Sequence, residues 1–403
     1  MPTSSGRPRQ PIGDRARKSA LRNVVPVGAR GRTPFVDGGP WTAAPLAAGV
    51  SARQKRTIHE PTTHEFHPPQ RLVTAPESSS LNSAPNASKQ ADAYPPDRFV
   101  LDCGGGRRLD LRPGAGAPAV MGILNVTPDS FSDGGQFLEK EDALARAGAM
   151  LEEGADVIDI GGESSRPAGS VYGEGAAAVA EEEEKQRVLP VVEAVAERFP
   201  EAVLSVDTYK PGVARAALEA GAHVINDITG LRIHPETAEV CAEQGAPLVV
   251  MHSQGRPGAF EHTSESSGDG VEDVASALEA SVETAEKAGV RQVVVDPGFG
   301  FGKTAEENLR LVANSGGLVR RIGRPVLVGI SRKSTIGEVL ARSREREEAV
   351  PVGERLFGTL GATAVAAMRG ATLVRTHDVR ATVEMLCTLS ACEGAGVRAP
   401  GRS

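Results

Sequence analysis

Three things are scarce in this 403-residue chain. Cysteine occurs four times, at Cys103, Cys241, Cys387 and Cys392, with no CxxC pair. That excludes a disulfide scaffold and a cysteine-based zinc module, and it fits a reducing cytoplasmic compartment in which the thiols are small and unreactive. Long apolar runs are also missing: none approaches the roughly 18 residues of a membrane-spanning helix. The amino terminus offers Arg, Ser and Pro without an apolar core, so no secretory signal is expected. The third scarcity is positive charge, with 45 Lys+Arg against 52 Asp+Glu and a formal net charge of −7. A generic nucleic-acid or anionic-membrane binder needs a basic face for phosphates, and the mean offers none.

That mean hides a split. Residues 1–100 carry 14 basic and 7 acidic side chains, a balance of +7, while the rest carry 31 and 45, a balance of −14. The same first hundred residues hold 14 of the 28 prolines. Residues 1–96 lack hydrophobic periodicity and cannot bury enough apolar area to offset their ordering entropy, so a disordered extension is expected there. Its first 32 residues, with eight bases and one acid, suit an organellar transit peptide. Translation from upstream of the true start, or a basic tether, would look the same. His59, His64 and His67 sit near metal-ligand spacing, but histidines in such a tail are expected to be solvated.

From residue 97 the texture changes. Phe99-Val100-Leu101 and Leu109-Asp110-Leu111 flank Gly104-Gly105-Gly106, the pattern of a short hairpin. Eight short apolar runs follow, at 119–124, 156–160, 203–206, 223–225, 247–251, 292–295, 326–330 and 371–374. Amphipathic stretches lie between them, at 141–153, 178–198, 211–220, 271–288, 304–314, 354–369 and 379–391. Short, β-branched, nearly continuous apolar strands are what a parallel sheet covered on both faces requires. Eight such units over this span predict a (β/α)8 TIM barrel occupying residues 97–395 as one domain.

Nearly every run ends in polar groups: Asn125, Gly162-Glu163, Asp207, Asn226-Asp227, His252, Asp296, Ser331 with Lys333, and Arg375 with His377. A single such residue would be read as a cap for the next helix. A succession at the carboxyl ends of barrel strands instead predicts a site on that rim. Arg375 and His377, two apart on the last strand, would face the same way, and a guanidinium there could hold a phosphate bidentately. Asp207, Asn226 and Asp296 could pair with the donor and acceptor edge of a flat heterocycle. Asn125 offers a neutral oxygen to Mg²⁺. Gly298-Phe-Gly-Phe-Gly-Lys303 is not a Walker A loop, because Pro297 stands where the first glycine is needed. Its glycines would let backbone approach a flat ligand. Segments 127–138 and 164–175, rich in Gly, Ser, Pro and Asp, follow the first two strands and are expected to act as lids.

These motifs together are specific. Met121-Gly-Ile-Leu-Asn125-Val-Thr-Pro-Asp129-Ser-Phe-Ser-Asp133, Gly161-Gly-Glu-Ser-Ser-Arg166-Pro167, Ser205-Val-Asp207-Thr-Tyr-Lys-Pro, Asp296-Pro-Gly-Phe-Gly-Phe-Gly-Lys303, Ser331-Arg-Lys333 and Arg375-Thr-His377-Asp-Val occur in order. From about residue 97 to 391 the chain resembles the dihydropteroate synthase family of pterin-binding barrels. The resemblance implies a transferase of folate biosynthesis, joining p-aminobenzoate to 6-hydroxymethyl-7,8-dihydropterin pyrophosphate with Mg²⁺ present and expelling pyrophosphate. It implies catalytic roles for Asp207, Lys333, Arg375 and His377, pterin contacts at Asp207, Asn226, Asp296 and Lys333, and a substrate contact at Met251. It implies a p-aminobenzoate pocket of Phe301, Ser165, Arg166, Pro167 and Ser331, pyrophosphate contacts at Arg375 and His377, and Asn125 as metal ligand. A homodimer through helices 354–369 and 379–391 is also implied, with Gly358, Gly361 and Ala364 allowing either close helix approach between copies or tight packing on the barrel. One departure stands out: the family usually has Ser-Thr-Arg-Pro-Gly where this chain has Ser164-Ser165-Arg166-Pro167-Ala168. Ala168 lacks the freedom of glycine at positive φ, which bears on lid geometry. Two other readings share the pterin-binding barrel. A corrinoid methyltransferase barrel would not need the Ser331–Lys333 and Arg375–His377 features. A non-catalytic relative would be marked by loss of lid residues such as Arg166, which is kept.

Overall fold

The computed structural model describes residues 93–126, 135–163, 179–255 and 270–394, with side chains in the second stretch from Lys140 onward. It opens on a single helical turn, α1 (Pro96–Phe99), and an antiparallel hairpin, β1 (Val100–Asp102) with β2 (Arg108–Asp110), in which Leu101 pairs with Leu109. The hairpin turns through Gly104, Gly105 and Gly106, all at positive φ, where a side chain would be strained.

Eight parallel strands then alternate with helices. β3 (Ala119–Asn125), α2 (Gly135–Glu152), β4 (Val157–Gly161), α3 (Glu181–Arg198), β5 (Val203–Asp207), α4 (Pro211–Glu219) and β6 (Val224–Asp227) make the first half. α5 (Glu236–Gln244), β7 (Leu248–Met251), α6 (Gly270–Ala288), β8 (Val293–Asp296), α7 (Ala305–Ala313), α8 (Ser315–Ile322), β9 (Leu327–Val328), α9 (Ser334–Ser343), α10 (Leu356–Met368), β10 (Leu373–Thr376) and α11 (Val379–Gly394) complete it. The strand order is β8-β7-β6-β5-β4-β3-β10-β9, and a parallel bridge from Val295 to Val326 joins the two ends. The result is a (β/α)8 barrel.

Strand parity divides the core. Ile158, Ile160, Leu204, Val206, Leu248 and Val250 face outward beneath the helices. Val157, Val203, Val224, Val249, Val294, Leu327 and Leu373 face inward and cluster with Leu101, Cys103, Leu109 and Leu111 of the hairpin. The hairpin therefore plugs the end where the strands begin. Gln292 pins it there, donating to the Val100 carbonyl at 2.8 Å and accepting from the Asp102 N–H at 3.0 Å. The opposite rim, at the carboxyl ends of the strands, is where a barrel of this kind places its chemistry.

Several boundaries move. The described residues reach back before residue 97, and Tyr94 packs its ring 4.9 Å from that of Phe99. The helix expected from 141 starts at Gly135, so the end of the supposed lid 127–138 is helical, while residues 127–134 and 164–178 lie outside the described residues. The run 326–330 is buried for most of its length, yet only Leu327–Val328 form ladder pairs with β10. Apolar composition tracked burial there, and burial outlasts the strand. No described helix is long and apolar enough to cross a membrane.

Candidate active site

The strand ends converge at the open rim. A Cβ on Gly161, at the end of β4, would lie 3.5 Å from the Asp207 Cβ and 3.9 Å from the Asn125 Oδ1. One on Gly329 would lie 3.9 Å from Asp296 Oδ2 and 4.0 Å from the Arg375 Cβ. Glycine at these two places keeps the floor open while polar groups from β3, β5, β8 and β10 come together.

Arg375 is the centre of the polar network. Its Nε donates to Asp159 Oδ2 at 2.6 Å and its Nη2 to Asp207 Oδ2 at 2.8 Å. Asn226 Nδ2 donates to the same Asp159 oxygen at 3.1 Å. The guanidinium fork is therefore engaged by carboxylates through Nε and Nη2. Two acids, from β4 and β5, thus orient the guanidinium at the rim. Asp159 was missed by reading strand ends: it lies in mid-strand, fully buried, with its Oδ1 finding no partner among the described residues. Ser205 pairs with it in register on β5, and its buried Oγ is also unpartnered among them. A charged residue inside an apolar run was the available signal, since burying one demands a partner or a ligand.

Electrostatics follow from this burial. Desolvation raises Asp207 to about 7, against the pull of Arg375 and with the help of the Asp159 charge. Asp296 is raised to about 6 by burial, although it accepts a 2.7 Å bond from the Gly298 N–H. Lys333 is lowered to about 7, first by burial and then by Arg375. Its Nζ lies 3.6 Å from the centre of the Phe301 ring, a cation–π arrangement. His377 falls just beyond β10 and is lowered to about 3 by burial and the nearby Arg375. That shift favours the neutral imidazole, which can offer a hydrogen bond. Its Nδ1 is 3.0 Å from Ser331 Oγ, which also accepts from the His377 N–H at 3.2 Å.

An apolar wall stands beside these groups: Tyr209, Ile228, Met251 and Phe301 pack together, with Ile233 against them. Phe301 sits in a loop at whose glycines 298, 300 and 302 φ is positive. A Cβ on Gly298 would collide with the His252 carbonyl oxygen, so only glycine fits. Lys303 fills the loop from beneath, its Nζ donating to the carbonyls of Gly298, Phe301 and His252 at 2.9, 3.2 and 3.2 Å.

Next to Asp207 lies a second buried ionic group, in which Glu163 from the end of β4 meets Lys210 and Glu184, two residues unread in the sequence. Lys210 Nζ donates to both Glu163 and Glu184, and Tyr209 lies within 3.3 Å of Glu163. Burial alone would lower Lys210, but the two carboxylates reverse this and its pKa ends raised. Of the Asn226-Asp227 pair, Asn226 joins the site, whereas Asp227 braces the following turn through the Thr229 and Leu231 N–H groups. The candidates Ser165, Arg166 and Pro167 lie outside the described residues.

Among the described residues no three His, Cys, Asp or Glu side chains form a metal-binding cluster. Asn125 is nonetheless at the rim, with its Oδ1 over Gly161. One neutral protein oxygen suits a Mg²⁺ that brings waters and ligand phosphate oxygens with it, rather than a resident ion in a protein cage.

Comparison with known proteins agrees with this architecture. Residues 121–377 match the family described as "Pterin binding enzyme". The dihydropteroate synthase of Escherichia coli (strain K12) is 45% identical over 294 residues, 72% of this chain and 96% of that one. That of Haemophilus influenzae is 42% identical over 271 residues, 67% of this chain and 92% of its own. Among solved structures, Xanthomonas albilineans dihydropteroate synthase with 4-aminobenzoic acid superposes with a TM-score of 0.63 at 43% identity, covering 73% of this chain and 98% of that one. The same organism's enzyme in complex with 7,8-dihydropteroate gives a TM-score of 0.60 at 40% identity, with 73% and 98% covered.

Proposed function

The chain belongs to the dihydropteroate synthase family of pterin-binding enzymes, and on that premise we propose how its barrel mouth performs the condensation. The reaction joins 6-hydroxymethyl-7,8-dihydropterin pyrophosphate to p-aminobenzoate and releases 7,8-dihydropteroate and pyrophosphate. The observation that carries the reading is the convergence of Asp207, Asn226, Asp296, Lys333 and Arg375 beside the Met251–Phe301 wall.

The pterin lies flat against Met251 and Ile228, its pyrimidine edge meeting Asp207, Asn226 and Asp296, and its ring carbonyl meeting Lys333. Each is largely buried, so a ligand edge that left one unpaired would forfeit affinity. Asp159 Oδ1 and Ser205 Oγ, buried without partners among the described residues, add acceptor and donor capacity at the deep end. The C–O bond of the methylene breaks with its electron pair going to pyrophosphate. Arg375 and one N–H of His377 donate to that leaving group. Asn125 would hold a Mg²⁺ here, and such an ion would supply further neutralisation of the leaving charge. The carboxylates of Asp207 and Asp296 favour positive charge on the electron-rich dihydropterin as the bond breaks. The arylamine, positioned by Phe301, Ser331 and the lid residues Ser165, Arg166 and Pro167, attacks the methylene carbon and then loses a proton. It needs placement more than activation.

Asp207→Asn and Arg375→Ala test this assignment. Each is expected to lower kcat/KM by about a hundredfold or more, the scale of losing a charge-stabilising donor. Near-normal turnover in both would remove these residues from the mechanism.

The homodimer proposal gains detail from α10. This helix contains no charged residue, and Phe357 is 83% exposed on it. A Cβ on Gly358 would come 2.7 Å from Ile336, so this glycine serves packing on the barrel. Gly361 has no atom within 4 Å of its added Cβ and Val365 is exposed, leaving Phe357, Gly361 and Val365 as the face for a second copy. The four free thiols are compatible with the reducing cytoplasm proposed as its compartment.

A further inference from the structure

Arg332 lies between two site residues, Ser331 and Lys333, and has the backbone of a glycine. Its φ is +59°, in the left-handed region, at the third position of the turn closed by the Lys333 N–H on the Ile330 carbonyl. A turn with positive φ there selects Gly or Asn, and Arg holds it only where the surroundings impose it.

The surroundings are specific. The Arg332 N–H donates to Thr359 Oγ1 on α10 at 3.1 Å. The Arg332 carbonyl accepts from Arg355 Nη1 at 2.9 Å. Arg355 is 1% exposed, and its Nε donates to the Val350 carbonyl at 2.7 Å. The fit depends on Gly337, where a Cβ would press within 2.8 Å of the Arg355 Nε. The Arg332 side chain is clamped separately, donating twice to Asp378, the residue after His377, at 3.0 and 2.5 Å. Both peptide groups of one strained residue are thus gripped from α10 and its entry. On either side of it Ser331 reaches His377 and Lys333 reaches Phe301.

We propose that Thr359 and Arg355 are positioning residues that hold the Arg332 backbone left-handed and so present Ser331 and Lys333 to the substrates. This role deepens the condensation reading and rests on it for its kinetic form. Without the grip, Arg332 relaxes toward negative φ and the two flanking side chains swing away from His377 and Phe301. The Arg332→Gly variant would keep the turn by itself.

The test is a double-mutant cycle in the full chain, with Thr359→Val, Arg332→Gly and the pair, read by kcat/KM and by calorimetric affinity for 6-hydroxymethyl-7,8-dihydropterin. Thr359→Val is expected to cost about tenfold or more with Arg332 present, and less than about threefold in the Arg332→Gly background, because neighbouring residues that act through one strained bond couple. Thr359→Ser, which keeps the acceptor, should stay within about threefold of the unaltered chain. Equal losses in both backgrounds, or none, would overturn the proposal, since lost packing alone would not be relieved by a change of backbone preference at 332. If the valine variant does not fold, Thr359→Ala takes its place with the same expectations. Failure of the condensation reading would appear differently, as no turnover by the unaltered chain while the coupling in pterin affinity persists.

Discussion

Lys303 and Lys333 are each pushed down to about 7, chiefly by burial, and the stability consequence has a definite sign. Above pH 7 the folded protein has released protons that the unfolded chain, with ordinary lysines, keeps until about pH 10.4. The unfolded state then binds more protons, so stability rises with pH across that window. The buried thiols Cys103 and Cys241, raised to about 12 by burial, act in the opposite sense once free thiols ionise near 9. Between pH 7 and 9 the lysines dominate. Unfolding free energy is therefore predicted to rise from pH 7 to 9, with a slope smaller in Lys303→Met by up to about 1.4 kcal/mol per pH unit. Denaturant titrations at several pH values measure it, and an unchanged slope in the variant would mean that Lys303 is charged in the fold. At this scale the sequence was informative where polar residues end apolar runs, as at Asp207, Asp296 and Arg375. Asp159 escaped a reading of strand ends for a physical reason: parity within a strand, not its end, carries it to Arg375, and its only signal was a charge inside an apolar run. The downward shift of His377 was hidden, since it depends on burial and on Arg332 and Arg375 nearby.

Among elements, the buried lysine between two acids ties three of them together. Glu163 follows β4, Glu184 lies on α3 and Lys210 precedes α4. Glu184 is fully buried, raised by desolvation, and leaves Oε1 without a partner among the described residues. Removing the cation strands two carboxylates, and breaking a buried pair in this way costs about 3–5 kcal/mol. Lys210→Met is predicted to lower unfolding free energy by that amount, and adding Glu184→Gln should recover part of it. A loss below about 1 kcal/mol would mean that the carboxylates find other partners or protonate. None of this could be read from spacing, because 163, 184 and 210 come together only when the barrel closes. The strands themselves were legible, for they are short, apolar and β-branched. α5, α8 and α9 were not among the stretches singled out. In α8 (SGGLVRRI), two glycines dilute the apolar period, although Leu318 and Val319 are buried.

The whole molecule separates two charge regimes that its net charge conceals. The barrel region carries the acidic excess, yet Arg375, Lys333 and Lys303 come from three strand ends to one rim, where Asp159, Asp207 and Asp296 offset them. Sign and position of the ligand's charge are therefore set by which strand ends meet, not by composition. The leading hairpin, legible as two apolar triplets around three glycines, packs against the end where the strands begin. The extension before residue 93 lies outside the described residues, and no motif speaks for it. If α10 forms the subunit contact, Phe357→Glu is predicted to shift the sedimenting species from dimer to monomer at micromolar concentration, whereas identical sedimentation would place the contact elsewhere. The central claim is tested most directly by incubating the purified full chain with 6-hydroxymethyl-7,8-dihydropterin pyrophosphate, p-aminobenzoate and Mg²⁺. Chromatography should show 7,8-dihydropteroate and pyrophosphate appearing in equal amounts, lost with Arg375→Ala. Binding of the pterin without formation of either product would contradict the account.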